Sequence, residues 1–147
     1  MSDEFWKGYF TASAICILMI LFGGTIAHCE DISSLIVQEA TRQGLDPQVA
    51  LSIAMIESSM NPNAVGPIGE IGLFQIRPEF SKLPRIALFD VKTNVREGIA
   101  ILIRYKKLCP MQDKFTYVIC FNNGLRHPKY PLLHPYYKRF SKALAEL

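Results

Sequence analysis

Ala54-Met55-Ile56-Glu57-Ser58-Ser59-Met60-Asn61-Pro62-Asn63-Ala64-Val65-Gly66-Pro67-Ile68-Gly69-Glu70-Ile71-Gly72-Leu73-Phe74-Gln75-Ile76-Arg77-Pro78 changes character in its middle. It begins as the end of an apolar helix and turns into a loop punctuated by proline and glycine. Asp46-Pro47 opens that helix as a cap followed by proline at the first helical position. The run Val49 to Ile56 is apolar on nearly every face and predicts a helix buried inside the fold, ending near Ser59. Glu57 sits on its last turn, in register with Ala50, Ile53 and Ala54. A carboxyl among such neighbours is desolvated, and it also lies at the negative end of the helix dipole. Both effects disfavour its anion and raise its pKa.

Outward from this core, the pattern is helical. Asp31 to Gly44 reads as a helix with a stripe at Ile32, Leu35, Ile36 and Ala40. Thr93 or Asn94 is placed to cap a helix reaching Lys107, with Val95, Ile99, Leu102 and Ile103 on one side. Phe115 to Phe121 and Tyr136 to Leu144 are two shorter candidates, and no convincing strand run or repeat occurs. The expected class is all-α.

Before that domain, Gly8 to Ala27 carries no formal charge and is long enough to span a bilayer as a helix. Gly23-Gly24 and the small residues Thr25 and Ala27 equally fit a secretory signal. Residues 1–27 are thus read as a signal peptide or a membrane anchor, with membrane contact through residues 8–27 if uncleaved, and residues 28–147 as the exported domain. Setting aside Asp3, Glu4 and Lys7 leaves 15 basic and 11 acidic residues, a charge of +4. That mild, scattered bias suits an anionic envelope polymer and excludes a nucleic-acid footprint. Cys29, Cys109 and Cys120 follow the apolar segment. In an oxidising compartment they predict one disulfide and one free thiol, with three pairings open. No C-x-x-C occurs and His28, His127 and His134 are scattered, so no metal and no cofactor is expected.

The quoted stretch resembles the signature of the soluble-lytic-transglycosylase (SLT) family, a lysozyme-like group, whose pattern reads roughly ExSxxNPxAxSPxGAxGLMQxxP. Leu88-Phe89-Asp90 through Asn94-Val95-Arg96-x-Gly98 resembles the family's "LFDPxxNIxxG", and Cys120-Phe121-Asn122-Asn123-Gly124 its "AYNAG". A looser echo lies at Tyr137-Lys138-Arg139. The resemblance implies a lysozyme-like helical domain that cuts peptidoglycan glycan strands in the periplasm or cell envelope. It makes Glu57 the catalytic acid and base, with substrate contacts at Ser58, Phe74, Gln75, Phe121 and Asn122. Ser58 is expected to hold the helix end, and Gln75 to hydrogen-bond sugar or the catalytic carboxyl. The implied reaction protonates the oxygen linking N-acetylmuramic acid to N-acetylglucosamine and closes a 1,6-anhydro ring with the sugar's own 6-hydroxyl. One carboxyl then suffices, where most glycosidases need two.

Three departures stand out. Phe121 replaces a tyrosine, Gly66 a serine, and Glu70 a small apolar residue. Glu70 as a second carboxylate favours hydrolysis through water, the muramidase alternative. Phe121 favours a third reading, a peptidoglycan-binding protein that does not cut. The single exported domain points by analogy to local wall opening for a secretion or conjugation machine, or for phage entry from a virion.

Overall fold

The computed structural model describes residues 31–109, 113–125 and 128–147. Its helices are α1 (Ile32–Gln43), α2 (Pro47–Ser58), α3 (Val91–Leu108), α4 (Tyr117–Asn123) and α5 (Pro135–Ala145). Short 3-10 turns at Pro78–Phe80, Arg85–Phe89 and Pro131–Leu133 join them. Among the described residues, pairing of β type is confined to the isolated bridges Val65–Ile71 and Ile71–Ile76. The domain is all-α, as its sequence predicts. Residues 1–27 and the boundary at His28 lie outside the described residues. Among the described residues, no helix is long and apolar enough to cross a membrane.

Local chemistry sets the helix ends. Gly44 closes α1 in the left-handed conformation at φ 77°, and the Asp46 side chain accepts a hydrogen bond from Gln48 N, capping α2. α3 starts earlier than predicted: Asp90 is its cap, accepting from Thr93 N at 2.8 Å. Asn94, expected as a cap, instead lies buried in the first turn of α3 and turns toward the loop described below.

α2 is the central helix, touching both α1 and α5. Val49, Ala50, Ile53 and Ala54 are fully buried in one core with Ile36 and Ala40 of α1, Val95, Ile99 and Leu102 of α3, and Tyr136 and Phe140 of α5. Each large aliphatic buried this way contributes about 1.5–3 kcal/mol. The last turn of α2 departs from that pattern, for Met55, Ile56 and Glu57 are only half-buried. The site begins there.

Cys109, at the end of α3, is bonded to Cys120 in α4, with a Cα–Cα distance of 6.3 Å. This resolves the three possible pairings, while Cys29 lies outside the described residues. A bridge over 11 residues of sequence stabilises by roughly 3 kcal/mol through loop closure. The Cys109→Ser, Cys120→Ser chain should therefore melt roughly 10 °C below the oxidised protein. A reductant should reproduce that shift in the wild type and have no effect on the double variant. Unchanged melting on reduction would show that the bridge does not carry this load.

Candidate active site

α2 ends in a backbone conformation that its surroundings must hold in place. Ser59 and Met60 both take left-handed φ angles of 53° and 64°. Their N–H groups return to Met55 O at 2.9 Å and Ala54 O at 3.4 Å, which pairs two of the last carbonyls of the helix. Left-handed non-glycine residues cost free energy and gather at functional sites. This reversal turns the chain sharply after Glu57 and sends it into the loop 61–77.

That loop is braced internally. Gly66 N donates to Glu70 O at 2.9 Å, Gly72 N to Ala64 O at 2.8 Å, and Ile71 and Ile76 exchange two bonds of 3.0 Å. Buried Asn94 fixes it to α3. Its Oδ1 accepts from Phe74 N at 3.0 Å, while its Nδ2 donates to Ile71 O and Leu88 O, each at 2.9 Å. Gly72, at φ 73°, leaves the room that the Asn94 amide occupies.

The result is a cleft of about 880 Å³. Glu57 comes from α2 and Glu70, Gln75 and Arg77 from the loop. Tyr105 of α3, Phe121 and Asn122 of α4, and Arg139 of α5 complete its walls. The structure thus brings four of the sequence-predicted residues together: Glu57, Gln75, Phe121 and Asn122.

Two others do not reach the cleft. Phe74 is fully buried, and its ring lies against Gly98 of α3, where any Cβ would overlap it. It is a core residue, like Leu73 before it, and only Gln75 of that strip lines the cleft. Ser58 bonds its Oγ back to Ala54 O at 3.1 Å, so it holds the helix end and does not line the cleft. Gln75, held at φ 44°, lines the cleft but does not bond Glu57. Its amide Nε2 is committed to Gly72 O at 2.9 Å and Ala64 O at 3.3 Å.

Two departures from the family pattern share one volume. A Cβ at Gly66 would come within 2.7 Å of Gln75 Oε1 and overlap the Glu70 carboxylate. Gly66 takes an ordinary φ, unlike Gly69 and Gly72, so crowding by the Glu70 and Gln75 side chains, and not backbone conformation, is what favours glycine there. Glu70 fills the volume that a side chain at 66 would take, and its Oε2 also accepts from Ile68 N at 3.1 Å. A serine at 66 would require the Glu70 carboxylate to swing aside.

The partner of Glu57 was not foreseen. Tyr136 of α5, almost completely buried, donates its hydroxyl to Glu57 Oε1 at 2.6 Å across 79 residues of sequence. The hydroxyl that Phe121 lacks thus reaches the carboxyl from another helix. The only available signal was the α5 stripe of Tyr136, Phe140 and Ala143 at i, i+4 and i+7, which marks Tyr136 as inward-facing without naming its partner.

Burial pushes the Glu57 carboxyl above the usual glutamate range, and the nearby Glu70 carboxylate adds to the rise. The Tyr136 hydrogen bond and the Arg139 charge pull the other way but do not cancel it. The same burial, with the Glu57 charge beside it, holds the Tyr136 phenol well above its ordinary value, so it is a donor at any working pH. Among the described residues, no cluster of His, Cys, Asp and Glu is placed to hold a metal ion.

Such a site places a half-buried carboxyl of raised pKa in the wall of a cleft, as acid catalysis of glycoside cleavage requires. No curated protein matches the chain. The family model of the transglycosylase SLT domain matches residues 34–142, a span that contains every cleft residue named above. The chain belongs to the transglycosylase SLT domain family, lysozyme-like proteins that act on peptidoglycan.

Proposed function

We propose that this chain is a lytic transglycosylase that cleaves the β-1,4 bond between N-acetylmuramic acid and N-acetylglucosamine, with Glu57 as acid and then base. One observation carries the reading: a carboxyl with raised pKa lines the cleft while a buried tyrosine holds one of its oxygens. With Tyr136 donating to Oε1, the proton of neutral Glu57 resides on Oε2. Oε2 gives that proton to the glycosidic oxygen as the bond from the muramic acid C1 breaks. The N-acetylglucosamine chain leaves with a free hydroxyl, and the muramic acid's acetamido group stabilises the positive charge left on its ring. The Glu57 carboxylate then takes the proton of the 6-hydroxyl while O6 bonds to C1. The acid is regenerated, and no water is consumed.

Tyr136 serves the middle of this sequence. Its hydrogen bond is stronger to the carboxylate than to the neutral acid, so it stabilises the state that forms as the proton leaves. Tyr136→Phe should lower kcat/KM by about tenfold. Because that hydrogen bond lowers the Glu57 pKa, its loss should also move the alkaline limb of the pH–rate profile upward. A slower enzyme with an unmoved limb would mean that Tyr136 only supports the fold.

A second reading is favoured by Glu70, which shares the cleft with Glu57 and interacts with its charge. A second carboxylate is what activation of water requires, and the product would then be a reducing end. Mass spectrometry of the released muropeptides separates the two readings, because the anhydro product is lighter by one water. Anhydro ends support transglycosylation, and reducing ends that disappear in Glu70→Ala transfer the reaction to hydrolysis.

Action in the envelope, with residues 1–27 as signal or anchor ahead of a domain from 28, belongs to the same proposal. So does local wall opening for a secretion, conjugation or phage-entry machine. Family membership and the uncharged stretch 8–27 support it. Normal assembly of such a machine in a deletion strain with altered muropeptide turnover would remove that role.

A further inference from the structure

The cleft carries a cation that the proposed reaction does not use. Arg77 follows the braced loop directly, and both it and Phe80 line the cleft. The Arg77 guanidinium carbon lies 4.8 Å from the centre of the Phe80 ring, and Phe80 is itself exposed. Stacking of this kind holds a guanidinium flat and leaves its edge free to bind.

That edge is incompletely used. Arg77 Nη2 pairs with Glu79, two residues away, and the Arg77 side chain is 40% exposed while that of Glu79 is 50% exposed. Exposed pairs of this sort are worth little and exchange easily. Arg77 Nε is buried and has no hydrogen-bond acceptor among the described residues. Being buried, Nε is closed to a ligand, so a carboxylate would meet the Nη2 that Glu79 now uses. Glu79 shows in addition that the position accepts a carboxylate.

Charge points the same way. The cleft carries Glu57 and Glu70 on its walls, with Arg77 and Arg139 to offset them. Arg139 lies over the Tyr136 ring and acts on Glu57, whereas Arg77 is further along the loop. Every muramic acid bears a lactyl group that ends either as a free carboxylate or as an acidic peptide. The Glu70 carboxylate repels such a group, and a cation outside the reacting centre offsets that repulsion.

Building on the peptidoglycan-cleaving reading, we infer that Arg77, stacked on Phe80, is a carboxylate-binding subsite that holds the anionic substituent of a muramic acid residue. Arginine suits this role because its planar fork meets a carboxylate with two parallel N–H bonds, and the substrate's carboxylate replaces that of Glu79. The subsite selects muramic acid over N-acetylglucosamine along the strand and so sets where the cut falls.

Binding, not cleavage, tests this, so that a failure of the catalytic reading leaves the test standing. The full chain carrying Glu57→Gln is titrated with peptide-free glycan strands, with peptide-bearing strands and with neutral N-acetylglucosamine oligomers. The same titrations are made with Arg77→Met added, which keeps an apolar stem over Phe80, and with Arg77→Lys, which keeps the charge but not the fork. The expected result is an about tenfold weaker Kd for muramic-acid strands in Arg77→Met, a smaller loss in Arg77→Lys, and no change for the neutral oligomer. A loss confined to peptide-free strands assigns the lactyl carboxylate, and one confined to peptide-bearing strands assigns the peptide's. Equal losses on all three ligands, unchanged binding, or no binding by the parent chain would each overturn the subsite.

Discussion

Glu57→Gln should lower glycan cleavage by about a thousandfold, within the range that a positioned general acid supplies. Glutamine keeps the shape of the side chain and still accepts the Tyr136 hydrogen bond, so the 2.6 Å contact survives while the transferable proton does not. The fold should gain from the change. Glu57 has a folded-state pKa raised above the ordinary 4.5, so the folded chain holds its proton more tightly than the unfolded chain does. Its stability contribution is therefore best below that value and declines as pH rises through the raised one. Glutamine never ionises. The variant should accordingly melt above the wild type at about pH 7, with the gap closing toward about pH 4. A variant that is inactive and more stable cannot owe its inactivity to misfolding. Equal melting at both pH values would show that Glu57 is not held in an unfavourable setting. For the same reason, wild-type cleavage should fall as pH rises through the raised pKa of Glu57.

Asn94→Ala should cost about 3–5 kcal/mol, because three buried backbone groups lose their partner at once. Phe74 N–H, Ile71 C=O and Leu88 C=O all meet that one side chain, and none faces water that would replace it. For a domain of this size the melting temperature should drop by roughly 15 °C. Activity should suffer beyond the loss of folded protein, since two of these bonds, to Ile71 and Phe74, tie the loop bearing Glu70 and Gln75 to α3. Asn94→Asp separates these effects. It retains an acceptor for Phe74 N–H but has no donor for either carbonyl, and it buries a charge at neutral pH. Thermal melts and kcat/KM measured well below each melting point would test both statements. A loss within about 1 kcal/mol would mean that the loop is braced mainly by its own hydrogen bonds.

Much of this was legible in the chain because it is local. The stripes of α1, α3 and α5 repeat at helical spacing, and Gly44 and Asp46-Pro47 punctuate as single residues do. Glu57 stands out because a carboxylate is anomalous on so apolar a helix. The relations that complete the site are long-range, and no spacing rule reaches them. Tyr136 meets Glu57 only because α5 packs on α2. Asn94 looks like a cap in sequence, and its role as a bracket depends on where the 71–74 backbone passes. Phe74 and Gln75 are neighbours in one motif, yet one fills the core against Gly98 and the other lines the cleft. A motif string records that both residues are needed without recording which way each faces. The Gly66 and Glu70 departures read as two losses in sequence, and only the structure shows that they share one volume.

The most direct test of the central claim is mass spectrometry of purified peptidoglycan treated with the full-length chain, beside its Glu57→Gln variant. Muropeptides ending in 1,6-anhydromuramic acid, present with the wild type and absent with the variant, are the result expected here. Products unaffected by Glu57→Gln, or intact wall with the wild-type chain bound to it, would contradict Glu57 as the group that cuts.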